Sequence, residues 1–212
     1  HATLAAIVIV YSLSLIQPKE FLAIRGVRTM EFRWSIIALA GVLLLGTLRG
    51  ILSAIVVSMM SLISQTTSPR VSVIARKRGA DVLRPLSDEH PDDELFDGLL
   101  IVRPEGSIYF ANAEYVRERV FALAAQHRPR IVALDLSRVP DLEYSALYLL
   151  IETEKRLAER GATWWLVGLN PRVLQAVRNA GLADRLGRER MLFNARAAIE
   201  RYHELRAAGK FA

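Results

Sequence analysis

Trp34–Ile63 reads WSIIALAGVLLLGTLRGILSAIVVSMMSLI, thirty residues in which Arg49 is the only ionisable group. About 20 helical residues cross a hydrocarbon core about 30 Å thick, so thirty are too many for one upright span and few for two. Arg49 decides between them. A guanidinium at the bilayer centre costs at least about 3 kcal/mol, so a turn at Arg49 between two short helices is cheaper than one long helix carrying it at mid-depth. Gly46 and Gly50 bracket the arginine and provide the break. A buried hydrophobic hairpin in a larger soluble protein is the competing explanation, and the apolar lengths argue against it.

Outward from this stretch, Ala2 to Ile16 carries no charge, and Gln17 and Pro18 stop it. A basic loop with Lys19, Arg25, Arg28 and Arg33, interrupted by Gly26, joins it to Trp34. On the far side stand Arg70, Arg76, Lys77 and Arg78. Short cytoplasmic loops are enriched in Lys and Arg. Two crossings between the basic stretches put both on the cytoplasmic side, whereas one crossing would separate them. Residues 1–64 are therefore expected to be an all-α membrane segment of about three helices.

The net charge of +6 and the mean hydropathy of +0.22 blend two unlike regions. Residues 1–80 carry nine Lys or Arg against Glu20 and Glu31, whereas residues 81–98 carry seven Asp or Glu against Arg84 alone. The basic residues flank apolar spans and do not form an aromatic-studded stripe, so the pI near 10 does not argue for nucleic acid as a partner. Without cysteine there is no disulfide framework, thiolate zinc site or cysteine nucleophile. The start at His1 lacks an initiator Met and the pattern of a signal peptide, so the chain is expected to be the tail of a longer protein.

Residues 65–98 read as a juxtamembrane linker: Pro69, Pro85 and Pro91 alternate with the acidic run Asp88, Glu89, Asp92, Asp93 and Glu94. Arg76, Lys77 and Arg78 are candidate lipid-facing residues, each worth about 1 kcal/mol near an anionic surface; ordinary positive-inside flanking is the simpler reading.

Residues 99–207 read as a soluble α/β domain. Leu99–Val102 and Ser107–Ala111 have the spacing of a hairpin. Asn112 stands where it can cap a helix whose Val116, Val120, Leu123 and Ala124 keep helical spacing. Ile131–Leu134 is a buried-type strand, followed by a helix over about Tyr144–Arg160 with Glu152 four residues before Arg156, stopped by Gly161. Thr163–Val167 is the next strand, with Trp164 and Trp165 pointing to opposite sides, one to the core and the other either to a surface that would suit an interface or under a helix of the same domain. Asn170 and Pro171 open a helix to Ala180, and Asn194 caps a last one through about Leu205. Alternating strands and helices argue for mostly parallel pairing after the first hairpin.

These residues carry a resemblance. Gly98 to Ala113, with Ile108, Tyr109, Phe110, Ala111 and Asn112, followed by Asp135, Ser137, Val139, Ser145, Ala146 and Leu147, resembles the STAS domain, and more narrowly that at the cytoplasmic end of SulP-type sulfate permeases. Leu4–Val10, the basic loop, the paired short helices around Arg49 and Gly50, and Ser68 with Pro69 resemble the last three membrane helices of that family. The fold implied is a membrane all-α segment followed by an α/β STAS domain, a small mixed sheet with helices. The function implied is the C-terminal part of a secondary active carrier of sulfate, bicarbonate, chloride or a dicarboxylate, integral to the inner or plasma membrane. Its STAS domain would be cytoplasmic, serving regulation or homodimerisation. A free-standing, membrane-anchored STAS interaction module is the alternative.

In STAS proteins that antagonise anti-sigma factors the serine at the position of Ser145 is phosphorylated, which makes Ser145 a candidate regulatory site. That family often has Asp two residues before this serine and Gly after it, where this chain has Glu143 and Ala146. Phosphate would add about −1.5 to −2 charge at a helix start; the other reading is a residue that satisfies backbone groups. Asp135, Ser137, Asp141 and Glu143 form the candidate loop, its carboxylates serving either local capping or ligand binding. No catalytic set, cofactor motif or metal-ligand spacing is present: His1, His90, His127 and His203 are scattered, and GxxxxGK[ST] and HExxH are absent.

Overall fold

The computed structural model describes residues 2–14, 17–27 and 29–209, so Ile16 and Arg28 of the expected first span and basic loop lie outside the described residues. Two compact units divide the chain, residues 1–64 and 65–212. The first is built from α1 (Ala2–Ser14), α2 (Pro18–Val27), α3 (Thr29–Leu45) and most of α4 (Thr47–Thr67). Two stretches, Ala2–Val27 and Thr47–Thr67, are long and apolar enough to cross a membrane, where three were expected. Gly46 takes a φ of +80°, a conformation costly for any side chain, and so ends α3 after 17 residues.

The basic segment expected as a loop is helical over most of its length. Pro18 opens α2, where its fixed φ and missing N–H suit a helix start, and Phe21 packs on Phe32 with ring centroids 5.2 Å apart. The break near Arg49 lies at Gly46 alone. Gly50 is inside α4, its N–H donating to the Gly46 carbonyl at 2.8 Å. Its part is packing: a Cβ there would strike the Val42 backbone, and one at Gly41 would come within 2.8 Å of Ser53 Oγ. Small residues let α3 and α4 approach closely, as membrane helices do.

The second unit is a six-stranded sheet in the order β2-β1-β3-β4-β5-β6. Its strands are β1 (Val71–Arg76), β2 (Leu83–Pro85), β3 (Leu99–Pro104), β4 (Ile131–Asp135), β5 (Thr163–Val167) and β6 (Met191–Leu192). Strands β3 to β6 are parallel, while β1 runs antiparallel to both its neighbours. The expected hairpin is therefore wrong: β3 pairs with β1, and Ser107–Ala111 forms no strand beyond a single bridge from Ile108 to Leu142. The segment read as a linker supplies β1 and β2. Ile74 and Ala75 are fully buried, so β1 is a core strand despite the prolines and charges around it.

Helices α5 (Ala113–His127), α6 (Tyr144–Glu159), α7 (Pro171–Asn179) and α8 (Leu182–Leu186) cover one face of the sheet, around Val120, Leu134, Trp164 and Leu166. Helix α9 (Ala195–Ala207) covers the other, around Ile101, Ile131 and Trp165. With both faces covered, Trp164 and Trp165 are both buried, so of the two readings it is the covering helix, α9, and not an exposed surface, that meets Trp165. Each such side chain contributes at least about 2 kcal/mol of burial. Asn170 and Asn194 cap α7 and α9 as expected, accepting from Val173 N at 2.9 Å and Ala197 N at 2.8 Å. Asn112 does not cap α5 with its side chain.

The acidic run is held to the sheet. Asp93, its side chain 2% exposed, accepts two hydrogen bonds from Arg84 on β2, both at 2.7 Å. Glu94 exchanges backbone hydrogen bonds with Arg76. The hydrogen bonds from Arg84 hold the Asp93 carboxyl below the usual carboxylate range. The folded-state value is the lower one, so the clamp stabilises fully at neutral pH and is lost as pH falls through and below that range. We expect the amide-exchange protection factors of Arg76 and Glu94, referred to the intrinsic rate at each pH, to fall on acidification, and Asp93→Asn to give low protection at every pH.

Candidate functional site

The parallel strands end together, and the loops that follow them carry the candidate residues. Asp135 closes β4 beside Arg103 of β3. Arg103 donates to one carboxylate oxygen, Oδ2, from Nε at 2.8 Å and Nη2 at 2.6 Å, and Oδ1 accepts from Ser137 N at 3.0 Å. The Asp135 side chain is 1% exposed and Arg103 14%. A charge withdrawn from water so completely is tolerated only when paired and hydrogen-bonded. Gly168, at φ +67° after β5, leaves room for it: a Cβ there would stand 3.0 Å from both Asp135 Oδ1 and Ser137 Cβ.

The loop from Leu136 to Glu143 is anchored by buried Leu136, Val139 and Leu142. Asn170 donates to the Val139 carbonyl at 2.8 Å, and Arg172 pairs with Asp141 at 3.0 Å. Ile108 N donates to Asp141 O and Glu143 N to Ile108 O, tying this loop to the one preceding α5. Glu143 stands at the N-cap position of α6 without capping it; its carboxylate accepts from Phe110 N at 3.1 Å and from Ser145 Oγ at 3.5 Å. Ser145 thus sits in the first turn of α6, half-buried, beside an acidic group.

Asn112 does work that sequence reasoning assigned to a helix cap. It is 1% exposed; its Oδ1 accepts from Tyr109 N at 2.9 Å, and its Nδ2 donates to the carbonyls of Ser107 at 3.0 Å and Thr66 at 3.1 Å. The buried amide folds the 107–112 loop back on itself and joins it to the segment that enters β1.

A cleft of about 550 Å³ opens at this end of the sheet, on the side of α9. Arg103, Asp135 and Ser137 form its floor, and Phe193, Arg196 and Asp81 its rim. The structure therefore brings Asp135 and Ser137 together and keeps Asp141, Glu143 and Ser145 in the adjoining loop. Arg76, Lys77 and Arg78 lie at the opposite end of β1. There Arg76 pairs with Glu94 at 3.1 Å and stacks 5.5 Å from the Phe96 centroid, and Arg78 approaches Glu94 at 3.5 Å. Among the described residues no group of three His, Asp or Glu side chains is placed to hold a metal ion. Arg103 and Gly168 were missed; the signal for Arg103 was a lone charge ending the apolar run Leu99–Val102.

The STAS domain family matches residues 90–198, just over half of the chain. High affinity sulfate transporter 2 of Stylosanthes hamata is 26% identical over 98% of the chain and 33% of its own length. The chain belongs to the STAS domain family. Sulfate transporter 1.2 of Arabidopsis thaliana is 29% identical over 94% of the chain and 32% of its own length. The chain thus spans about a third of the length of these curated relatives. The structure of murine Solute Carrier 26 family member A9, an anion transporter, shares the fold with a TM-score of 0.72 over 89% of this chain and 31% of its own, at 18% identity.

The Arg103–Asp135 pair gives a direct test of whether Asp135 is structural. Removing one partner leaves a buried charge alone, so Asp135→Ala and Arg103→Ala should each destabilise the domain by about 3 kcal/mol or more. Arg103→Met with Asp135→Leu should cost much less than the two single losses together. Urea unfolding followed by Trp fluorescence checks it; additive losses would show that the pair is uncoupled.

Proposed function

We propose that this chain forms the C-terminal third of a secondary active carrier of inorganic anions, sulfate being the first candidate, with bicarbonate, chloride and dicarboxylates as the others. The observation that carries this reading is collinearity: apolar helices and STAS domain follow one another along 94–98% of the chain as in relatives named as sulfate transporters. The chain is membrane-anchored, and its role is that of a carrier component, not an enzyme. Residues 1–64 act as the closing membrane helices of a carrier in the inner or plasma membrane. Helix α3 serves as a third crossing: its 17 residues reach the lower limit of a spanning helix, and its close packing on α4 supports a hairpin with both basic ends on the cytoplasmic side. The substrate site belongs to earlier helices near the midplane, as in other secondary transporters.

The cytoplasmic STAS domain regulates the carrier and joins two copies of it. Ser145 is its regulatory position. A phosphate on Oγ would gain from the α6 N-terminus but stand beside the Glu143 carboxylate. Repulsion there would withdraw Glu143 from Phe110 N and loosen the join between the two loops.

Uptake of labelled sulfate by proteoliposomes holding the complete open reading frame tests this. We expect saturable uptake by that protein, none by residues 1–212 alone, and a changed rate for Ser145→Asp but not Ser145→Ala. Uptake by residues 1–212 alone, or no uptake of any of the four anions by the complete protein, would contradict the reading.

A further inference from the structure

Helices α5 and α6 enclose a small cavity against β5, and two of the side chains around it each keep an N–H group without a partner. Trp164 Nε1 on β5 and Arg117 Nε on α5 are both shielded from solvent, and among the described residues neither meets an acceptor. The Arg117 guanidinium is otherwise engaged: Nη1 donates to Glu152 at 3.0 Å and Nη2 to Glu114. Trp164 is 1% exposed and the Arg117 side chain 15%. An unpaired donor withdrawn from solvent is costly, so nearly all buried N–H groups are matched by protein or by ordered water.

The size and lining of the cavity decide what can match them. It leaves about 10 Å³ for the centre of a water-sized sphere, and one water requires about 10–15 Å³ on that measure. An occupant therefore has at most the size of a water. Thr153, 2% exposed, is the third polar side chain of the lining: its Oγ1 donates to the Leu149 carbonyl at 2.6 Å and keeps lone pairs that can accept. The remainder is apolar, with Val116, Val120 and Leu134 among it. Two donors and one acceptor call for a species that accepts two hydrogen bonds and donates at least one. Water does both. A halide accepts but cannot donate, and it needs net positive charge around it, whereas Glu114 and Glu152 already pair with Arg117.

We propose that one buried water, accepting from Trp164 Nε1 and Arg117 Nε and donating to Thr153 Oγ1, joins β5, α5 and α6 at a single point. Its bonds are of the number that a buried water commonly makes. Ala146, directly after Ser145, lines the same cavity, so the first turn of α6 packs on a hydrated site and not a dry one. The inference is independent of the carrier reading, since every group in it belongs to the soluble unit.

Trp34, Trp164 and Trp165 are the tryptophans of the chain, and single Trp→Phe changes assign their indole N–H signals. The full chain, carrying isotope-labelled tryptophan in detergent micelles, is examined by NMR for magnetisation transfer from water to each indole proton. We expect a water cross-peak at the Trp164 indole proton, of the sign that marks a long-lived water. The peak should survive, weakened, in Thr153→Val, which keeps the shape of the side chain and removes the hydroxyl proton that could relay the transfer. It should fall several-fold in Arg117→Met. The Trp165 signal, from the other face of the sheet, reports that each variant is folded. No water cross-peak at Trp164 in the unaltered chain, its complete loss in Thr153→Val, or an unchanged peak in Arg117→Met overturns the proposal. So does a Trp164 signal that moves with chloride concentration at constant ionic strength, which would mean an anion in the cavity.

Discussion

Apolar side chains that point outward along residues 4–63 set the terms for everything else in the molecule. Leu43, Leu44 and Leu48 are 76%, 84% and 75% exposed, and Ile51, Leu52 and Ile55 continue the surface on α4. At about 25 cal/mol per Å² of apolar area, such a surface is unfavourable in water and calls for hydrocarbon or further apolar helices around it. Inside lipid the hydrophobic effect no longer drives helix to helix, and what remains is close packing. Gly41 and Gly50 provide it by removing the atoms that would hold α3 and α4 apart. Arg49 is consistent with the same solvent: it stands in the first turn of α4, immediately past the break at Gly46, where a helix end can place its charge in water.

Beyond Thr67 the solvent changes and hydrophobic burial takes over. The sheet is covered on both faces, which is why its central strands read as continuous apolar runs and why both tryptophans are buried. Four parallel strands bring their carboxyl ends to one edge, and that edge collects the polar residues. The Arg103–Asp135 pair closes the sheet there, and the loops after β3 and β4 are laced together through Ile108, Asp141 and Glu143. The antiparallel strand β1 enters at this same edge. There Asn112 ties the loop before α5 to the Thr66 carbonyl.

The parts legible in the sequence were those governed by local chemistry. Asn170 with Pro171, and Asn194, announced helix starts because a cap acts within three residues. Glu152 and Arg156 pair at 3.4 Å because helical spacing alone places them together. The change of solvent and the order of membrane segment and STAS domain were likewise visible. What escaped depended on distant partners. Strand β1 is six residues long and its partner on the core side, β3, lies about thirty residues on, so its place in the sheet left no local pattern. Ser107–Ala111 imitated a strand through its spacing. Asn112 sat at a cap position, yet its side chain serves Thr66, Ser107 and Tyr109. Asp135 could be read as a local cap or as a ligand-binding group, and its partner Arg103 lies thirty-two residues away in sequence.

The central claim is that a bilayer-spanning hairpin hands over to a cytoplasmic STAS domain, and reagent access from the two sides of the membrane tests it most directly. Thr47→Cys lies at the turn between α3 and α4, and Arg188→Cys lies on the exposed surface of the soluble domain. With a membrane-impermeant maleimide on intact cells, Thr47→Cys should label from outside, and Arg188→Cys only after permeabilisation. Labelling of Arg188→Cys in intact cells, or shielding of Thr47→Cys until the cells are opened, would contradict the account.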